Sequence, residues 1–418
     1  MNHQYYNIYT RLFLYFKFTL FKLSFLCHDT YIDITDTPMY NNAIKKEGVS
    51  MEKVRAFLTR KEISLDFHTY GITALSAMAQ GLFCTLLVGT ILNTIATQLQ
   101  IGFLNEPIIS ISSGNQMIPY TIGGLCSLMV GPGIAIAIGA SLKCPPLVLY
   151  SLIPIGFATN IMGGAGGPLA VYFVTIVASE IGKLISKETK IDILVTPITT
   201  ILVGIGIASI VASPIGYAAS SFGEAVKWAT TQQPFIMGMI VSVIIGIALT
   251  LPISSAAICA ALTLTGLAGG AAVAGCCAQM VGFAIMSFRE NKWSGLVAQG
   301  IGTSMLQMPN IIKNPKIWIP PILASAITGP IATCIFQLEM NGSPVSSGMG
   351  TCGFVGQIGI YTGWLNDISN GLKMTITAMD WIGLILICFI FPALLSWIFT
   401  SILRKWGWIK ENDLKLDL

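Results

Sequence analysis

From Tyr70 onward, long apolar runs alternate with short polar or charged connections. A helix that crosses a bilayer needs about 20 mostly apolar residues. Runs that reach or approach this length cover 71–93, 117–142, 146–163, 168–185, 193–216, 235–251, 253–269, 270–288, 317–337 and 378–403. Two further apolar pieces, 295–311 and 353–365, are too short or too polar to span, and are expected to be re-entrant or interfacial. The pattern predicts an all-α polytopic membrane protein of about ten transmembrane helices, with re-entrant or broken segments.

The breaks are written in glycine and proline. Gly163-Gly164-Ala165-Gly166-Gly167-Pro168 lies between two apolar runs and cannot be continuous helix. Gly131-Pro132-Gly133 and Gly269-Gly270 are milder interruptions. Broken helices at membrane depth are tolerated only where they line a cavity or are covered by protein, which is the situation in transporters. The 42 glycines also let helices approach closely. Short Gly/Ala/Ile matches, such as Ala208–Gly216 with Ala324–Ala332, hint at an internal duplication, but their separations do not agree and low complexity accounts for them.

Composition agrees with the pattern. Of the 418 residues 54% are hydrophobic and 10% charged, against roughly 25% charged in a soluble domain. Basic residues set the expected topology. Lys53, Arg55, Arg60 and Lys61 precede the first span, 94–116 has no Lys or Arg, and Lys183, Lys187, Lys190, Arg404, Lys405 and Lys410 follow later spans. Both termini are therefore expected in the cytoplasm, with the chain in the plasma membrane. Lys227 is the main exception and has Glu224 beside it. No basic tract with interleaved aromatics points to nucleic acid.

Residues 1–50 read differently. Lys17 and Lys22 break the run 12–26, and no small-residue cleavage site follows, so a signal peptide is a poor fit. Codons for Lys46-Glu47-Gly48 can spell a purine-rich ribosome-binding sequence just before Met51, and an ordinary charged N-terminus follows. Residues 1–50 are expected to be a non-native N-terminal extension, 51–410 a single membrane domain, and 411–418 a short cytoplasmic tail.

Little in the chain supports chemistry of its own. The ten cysteines form no CxxC or Cys/His spacing and read as small buried hydrophobes. His3, His28 and His68 all lie outside the predicted spans, which leaves no histidine relay, metal ligand or phosphohistidine within them. A phosphate-cradling GxxxxGK[ST] motif is lacking. Neither a metal nor a cofactor is expected. The strongest constellation is 339–357, where helix breakers accompany Glu339, Asn341, Ser343, Ser346, Ser347, Thr351 and Gln357. Neutral donors and acceptors with one carboxylate suit a polyhydroxylated solute. Asn160 at the glycine-rich bend, and Gln307 and Asn310 in Gln307-Met308-Pro309-Asn310, are expected to join them around one cavity.

Three segments together resemble the membrane (IIC) component of the bacterial sugar phosphotransferase system. They are Thr159–Pro168, Gly302–Asn310 and Ser343–Gln357, and the likeness runs from about Met51 to Trp408. It is nearest to the branch that includes the perfringolysin O regulator. The resemblance implies a sugar permease of ten spans with re-entrant hairpins, homodimeric, with phosphorylation supplied by separate IIA and IIB proteins. The chain departs from the better-studied sugar channels in lacking a Gly-Ile-Thr-Glu motif, a membrane histidine and any IIA or IIB domain. The chain is accordingly expected to be no stand-alone enzyme, and at most the membrane subunit of a sugar phosphotransferase. The same likeness leaves open a membrane-bound solute sensor that regulates gene expression. An ion-coupled secondary transporter is a further alternative, for which Glu339 is the best coupling residue.

Overall fold

The computed structural model describes residues 51–64, 66–98, 101–113 and 116–416. The expected extension 1–50 lies outside them. Two compact units divide at Arg60. In the first, the described part is a helix, α1 (Met51–Arg60), whose Arg60 guanidinium lies over the Phe57 ring. The second unit begins at Lys61.

Helices make up most of this unit, as the hydropathy pattern predicts. The first long one, α2 (His68–Thr97), carries π-helical turns at His68–Thr73 and Phe83–Leu87. A hairpin of β1 (Ile109–Ser113) and β2 (Gln116–Tyr120) follows, antiparallel, with Ile109 opposite Tyr120. The span expected at 117–142 therefore begins later. It consists of α3 (Ile122–Leu128) and α4 (Val130–Ser141), bent by 55° at Met129. Alternation of Ile109, Ser110, Ile111 and Ser112 is the period-two signal that marks the strand.

Next come α5 (Pro146–Gly163) and α6 (Gly167–Ile185), separated by the turn Gly164–Gly166. Gly164 has φ +50°, where a Cβ would be strained, and Pro168 opens the new helix. The predicted break is thus a real one. A 38-residue helix, α7 (Asp192–Ala229), runs some 57 Å at about 1.5 Å per residue, well beyond the hydrocarbon thickness. It presents Ile193, Leu202, Ile210 and Tyr217 outward, as a lipid-facing helix must.

The segment expected to span at 253–269 does not. After α8 (Pro234–Thr250), the chain makes only α9 (Ser255–Ala261), turns, and enters α10 (Gly266–Met286). Ser254 caps α9 by accepting from the Ala257 amide, and Gly266 has φ +64°. These local stops outweigh the continuous apolarity that a hydropathy reading sees. The remaining elements are α11 (Phe288–Val297), α12 (Met308–Lys313), α13 (Ile319–Pro330), α14 (Pro344–Ser347), α15 (Val355–Ser369) and α16 (Ala378–Lys405). Among the described residues six helices are long and apolar enough to cross a membrane, or seven with the bent α3–α4 pair. The shorter apolar α8 stands beside them. The run Pro146–Ile185 counts once in this tally but holds two of the predicted spans.

At the centre is α10, with 89% of its most apolar stretch buried. It packs against α8, α13 and α16. Its Gly/Ala/Cys sequence permits this. A Cβ on Gly275 would sit 1.9 Å from the Ser242 carbonyl oxygen of α8, so the backbones touch directly. In the same way α4 and α5 meet at Gly131, where a Cβ would lie 2.1 Å from the Gly156 oxygen.

Candidate functional site

The breaks in the helices converge. A cavity of about 170 Å³ is lined at the α3–α4 bend by Ser127 and Val130, and at the α5–α6 break by Asn160 and Gly164. Ser254 and Ser255 reach it from the start of α9. Gly302 and Thr303 come from the broken stretch after α11, and Met349 and Cys352 from the segment between α14 and α15. Leu82, Leu86 and Leu87 of α2 form an apolar wall. Interrupted backbone in a membrane protein requires such a protein-enclosed setting.

Hydrogen bonds tie one break to another. The Ser254 amide donates to the Ala165 carbonyl (2.8 Å), and Ser255 Oγ donates to the Gly348 carbonyl (2.7 Å). Thr351 Oγ1 donates to Gly300 O. The Thr303 hydroxyl accepts from the Met305 amide. Asn160 differs from these. It is a lining residue whose side-chain amide makes no hydrogen bond to any described residue, and its Oδ1 faces Gly167, where a Cβ would come within 2.5 Å. The ionisable groups Asp, Glu, Lys, Arg and His are missing from the described lining, so its polarity comes from neutral hydroxyl, amide and backbone groups.

The residues singled out in the sequence fall in three places. Asn160 faces the cavity. The 339–357 segment contributes Met349 and Cys352 to the lining, while Asn341, Ser347, Thr351 and Gln357 tie it to neighbouring protein. Ser347 Oγ donates to Leu264 O (2.6 Å), and Gln357 Nε2 approaches Cys277 Sγ (3.3 Å). Ser346 is buried and Ser343 exposed. Asn341 Nδ2 donates to Glu339 Oε2 (3.0 Å) and to Asp367 Oδ2 (2.9 Å), and its Oδ1 accepts from the Gly266 amide. Glu339 is exposed there, away from the cavity lining. Gln307 and Asn310 lie elsewhere again. They donate to the carbonyls of Leu414 (3.0 Å) and Lys415 (2.8 Å) and so hold the C-terminal segment, whose Leu414 is fully buried.

Sequence reasoning passed over Ser127, Ser254, Ser255 and Thr303. The signal for two of them was legible, since Pro252-Ile253-Ser254-Ser255 pairs a helix breaker with capping serines. It also passed over an ion pair inside α6. There Lys183 Nζ is 2.9 Å from Glu180 Oε1, with both side chains almost wholly buried. Opposite charges three residues apart at the end of an apolar run mark such a pair.

Fold and cavity together define a class: a polytopic helical membrane protein whose broken helices enclose a neutral, partly polar chamber. The family model of the phosphotransferase system EIIC component matches residues 72–416, and the chain belongs to that family. It is accordingly a permease-type membrane component of a phosphotransferase system. None of the curated proteins and none of the solved structures compared with the chain matches it.

Proposed function

We propose that the chain moves a small uncharged sugar or related polyol across the plasma membrane through the central cavity, with phosphorylation by separate IIA and IIB proteins. The observation that carries this reading is the free amide of Asn160 on a cavity whose described lining has neutral polar groups. A polyol supplies hydroxyls that can donate to and accept from such an amide, while a charged solute would find no counter-ion in the described lining. A buried unpaired charge is far more costly than an unpaired hydroxyl.

In this account Asn160 contacts the solute. Asn341, Ser347, Thr351 and Gln357 set the position of the wall that carries Met349 and Cys352, with Glu339 held by Asn341, and Gln307 and Asn310 act through the C-terminal segment. Both termini are placed in the cytoplasm on the distribution of basic residues, and pairing of two copies is proposed on the family likeness. The test is uptake by vesicles containing the purified protein, across a panel of sugars and alditols, with and without IIA, IIB and a phosphoryl donor inside. Accumulation of one phosphorylated sugar supports the reading. Binding without uptake under every condition favours a sensor, and uptake that collapses with the proton or sodium gradient favours an ion-coupled transporter.

A further inference from the structure

A second cavity lies away from the central chamber, where the end of α16 meets the α10–α11 junction. It is polar, with a volume of about 720 Å³. Arg289, Arg404, Lys410 and Lys415 line it, against the carboxylates of Glu290 and Glu411, which leaves a surplus of two positive charges. Arg404 Nη2 pairs with Glu290 Oε1 at 2.7 Å. That pair is incompletely satisfied. The Glu290 side chain is 3% exposed, and its Oε2 has no hydrogen-bond partner among the described residues, nor does Arg404 Nε. Arg289, Lys410 and Lys415 have no carboxylate within ion-pair distance among the described residues.

The surroundings place this cavity at a membrane surface. Trp293, Trp406 and Trp408 stand exposed beside it, at 71%, 65% and 42%. Trp406 and Trp408 meet edge to face, and Lys316 Nζ lies 5.1 Å from the centre of the Trp408 ring. Clustered exposed tryptophan next to Lys and Arg, at the end of an apolar helix, is the signature of the headgroup layer. Basic pockets at that depth suit anionic lipid headgroups.

We propose that this cavity holds the headgroup of an anionic phospholipid of the phosphatidylglycerol type. The surplus cations of Arg289, Lys410 and Lys415 meet the phosphate, and the tryptophans pack beside the upper acyl chains. The cavity walls include Gly407, Ile409 and Asn412, so the site exists only while the C-terminal segment is docked. Lipid binding and tail docking are therefore thermodynamically linked, and each stabilises the other.

The test uses the full-length protein in an uncharged detergent, with bound lipid counted by native mass spectrometry and thermal unfolding followed in parallel. One phosphatidylglycerol per chain is expected to remain bound and to raise the unfolding temperature, while phosphatidylcholine does neither. The triple change Arg289→Gln, Lys410→Gln, Lys415→Gln removes three exposed cations and is expected to weaken retention roughly a hundredfold. The charge-keeping set Arg289→Lys, Lys410→Arg, Lys415→Arg should retain the lipid. Equal retention of the two lipids by the unaltered protein overturns the proposal, and so does undiminished retention by a folded triple-Gln variant. Displacement of phosphatidylglycerol by micromolar glycerol 3-phosphate overturns it as well, since the ligand is then a soluble phosphate.

Discussion

Replacing Glu180 with Gln isolates one buried charge. In the native protein the Lys183 ammonium lies 2.9 Å from the Glu180 carboxylate, with the two side chains 2% and 3% exposed. Lys183 also donates to the carbonyls of Glu62 (3.0 Å) and Leu142 (3.1 Å), so this one group fastens the end of α6 to the Lys61–Glu62 turn and the end of α4. Removing one member of a buried pair costs about 3–5 kcal/mol, mostly because the other charge is left uncompensated. The two retained carbonyl bonds place Glu180→Gln at the lower end, about 3 kcal/mol. That is roughly a hundredfold in the folding equilibrium. Glu180 Oε2 has no hydrogen-bond partner among the described residues, so the native pair is itself imperfectly compensated. The double change Glu180→Gln, Lys183→Met removes both charges but also frees the Glu62 and Leu142 carbonyls, so it is expected to be no less stable than the single one. Equilibrium unfolding in mixed micelles, followed by circular dichroism, measures all three proteins. A single variant within 0.5 kcal/mol of the unaltered protein, or a double variant less stable than the single, would refute the argument.

Three further variants probe packing and the docked tail. Gly270→Ala sets a Cβ 1.7 Å from the Leu338 carbonyl oxygen, with backbone on both sides and no room to yield, so loss of monodisperse protein in size-exclusion chromatography is expected. Gly206→Ala on α7 meets nothing within 4 Å and is expected to leave the elution profile unchanged. Gln307→Ala with Asn310→Ala removes the bonds to Leu414 and Lys415, each worth about 1 kcal/mol. Trypsin cleavage at Lys410 and Lys415 should accelerate roughly tenfold or more by local opening, and unchanged cleavage would show that these amides do not hold the segment.

The spans were legible because lipid imposes a simple rule: a long apolar run must be helix. The rule fails where local stops interrupt the run, as at Ser254 and Gly266, and where a strand occupies its first residues, as at Gln116–Tyr120. Asn160 could be picked out because a lone amide beside a glycine-rich break has few structural duties. Gln307 and Asn310 carry the same kind of signal for a different reason. Their partners are carbonyls about 105 residues away, and no local pattern announces a contact of that separation. The 339–357 segment was recognisable as irregular and polar, but which of its side chains face inward depends on the left-handed backbone at Gly350 (φ +54°) and Gly353 (φ +51°). There the apolar Met349 and Cys352 meet the cavity, while Ser347, Thr351 and Gln357 turn back into protein.

The central claim is that the solute binds against Asn160. Once the uptake panel has identified the solute, isothermal titration of that solute into the purified protein, Asn160→Ala and Asn310→Ala tests it most directly. Leaving a solute hydroxyl unpaired in an enclosed site costs about 1–3 kcal/mol, so Asn160→Ala is expected to weaken binding by roughly five- to a hundredfold while the unfolding temperature holds. Asn310→Ala, which loosens only the C-terminal segment, is expected to bind within about twofold of the unaltered protein. Unchanged affinity in a folded Asn160→Ala protein, with binding lost instead in Asn310→Ala, would contradict the account.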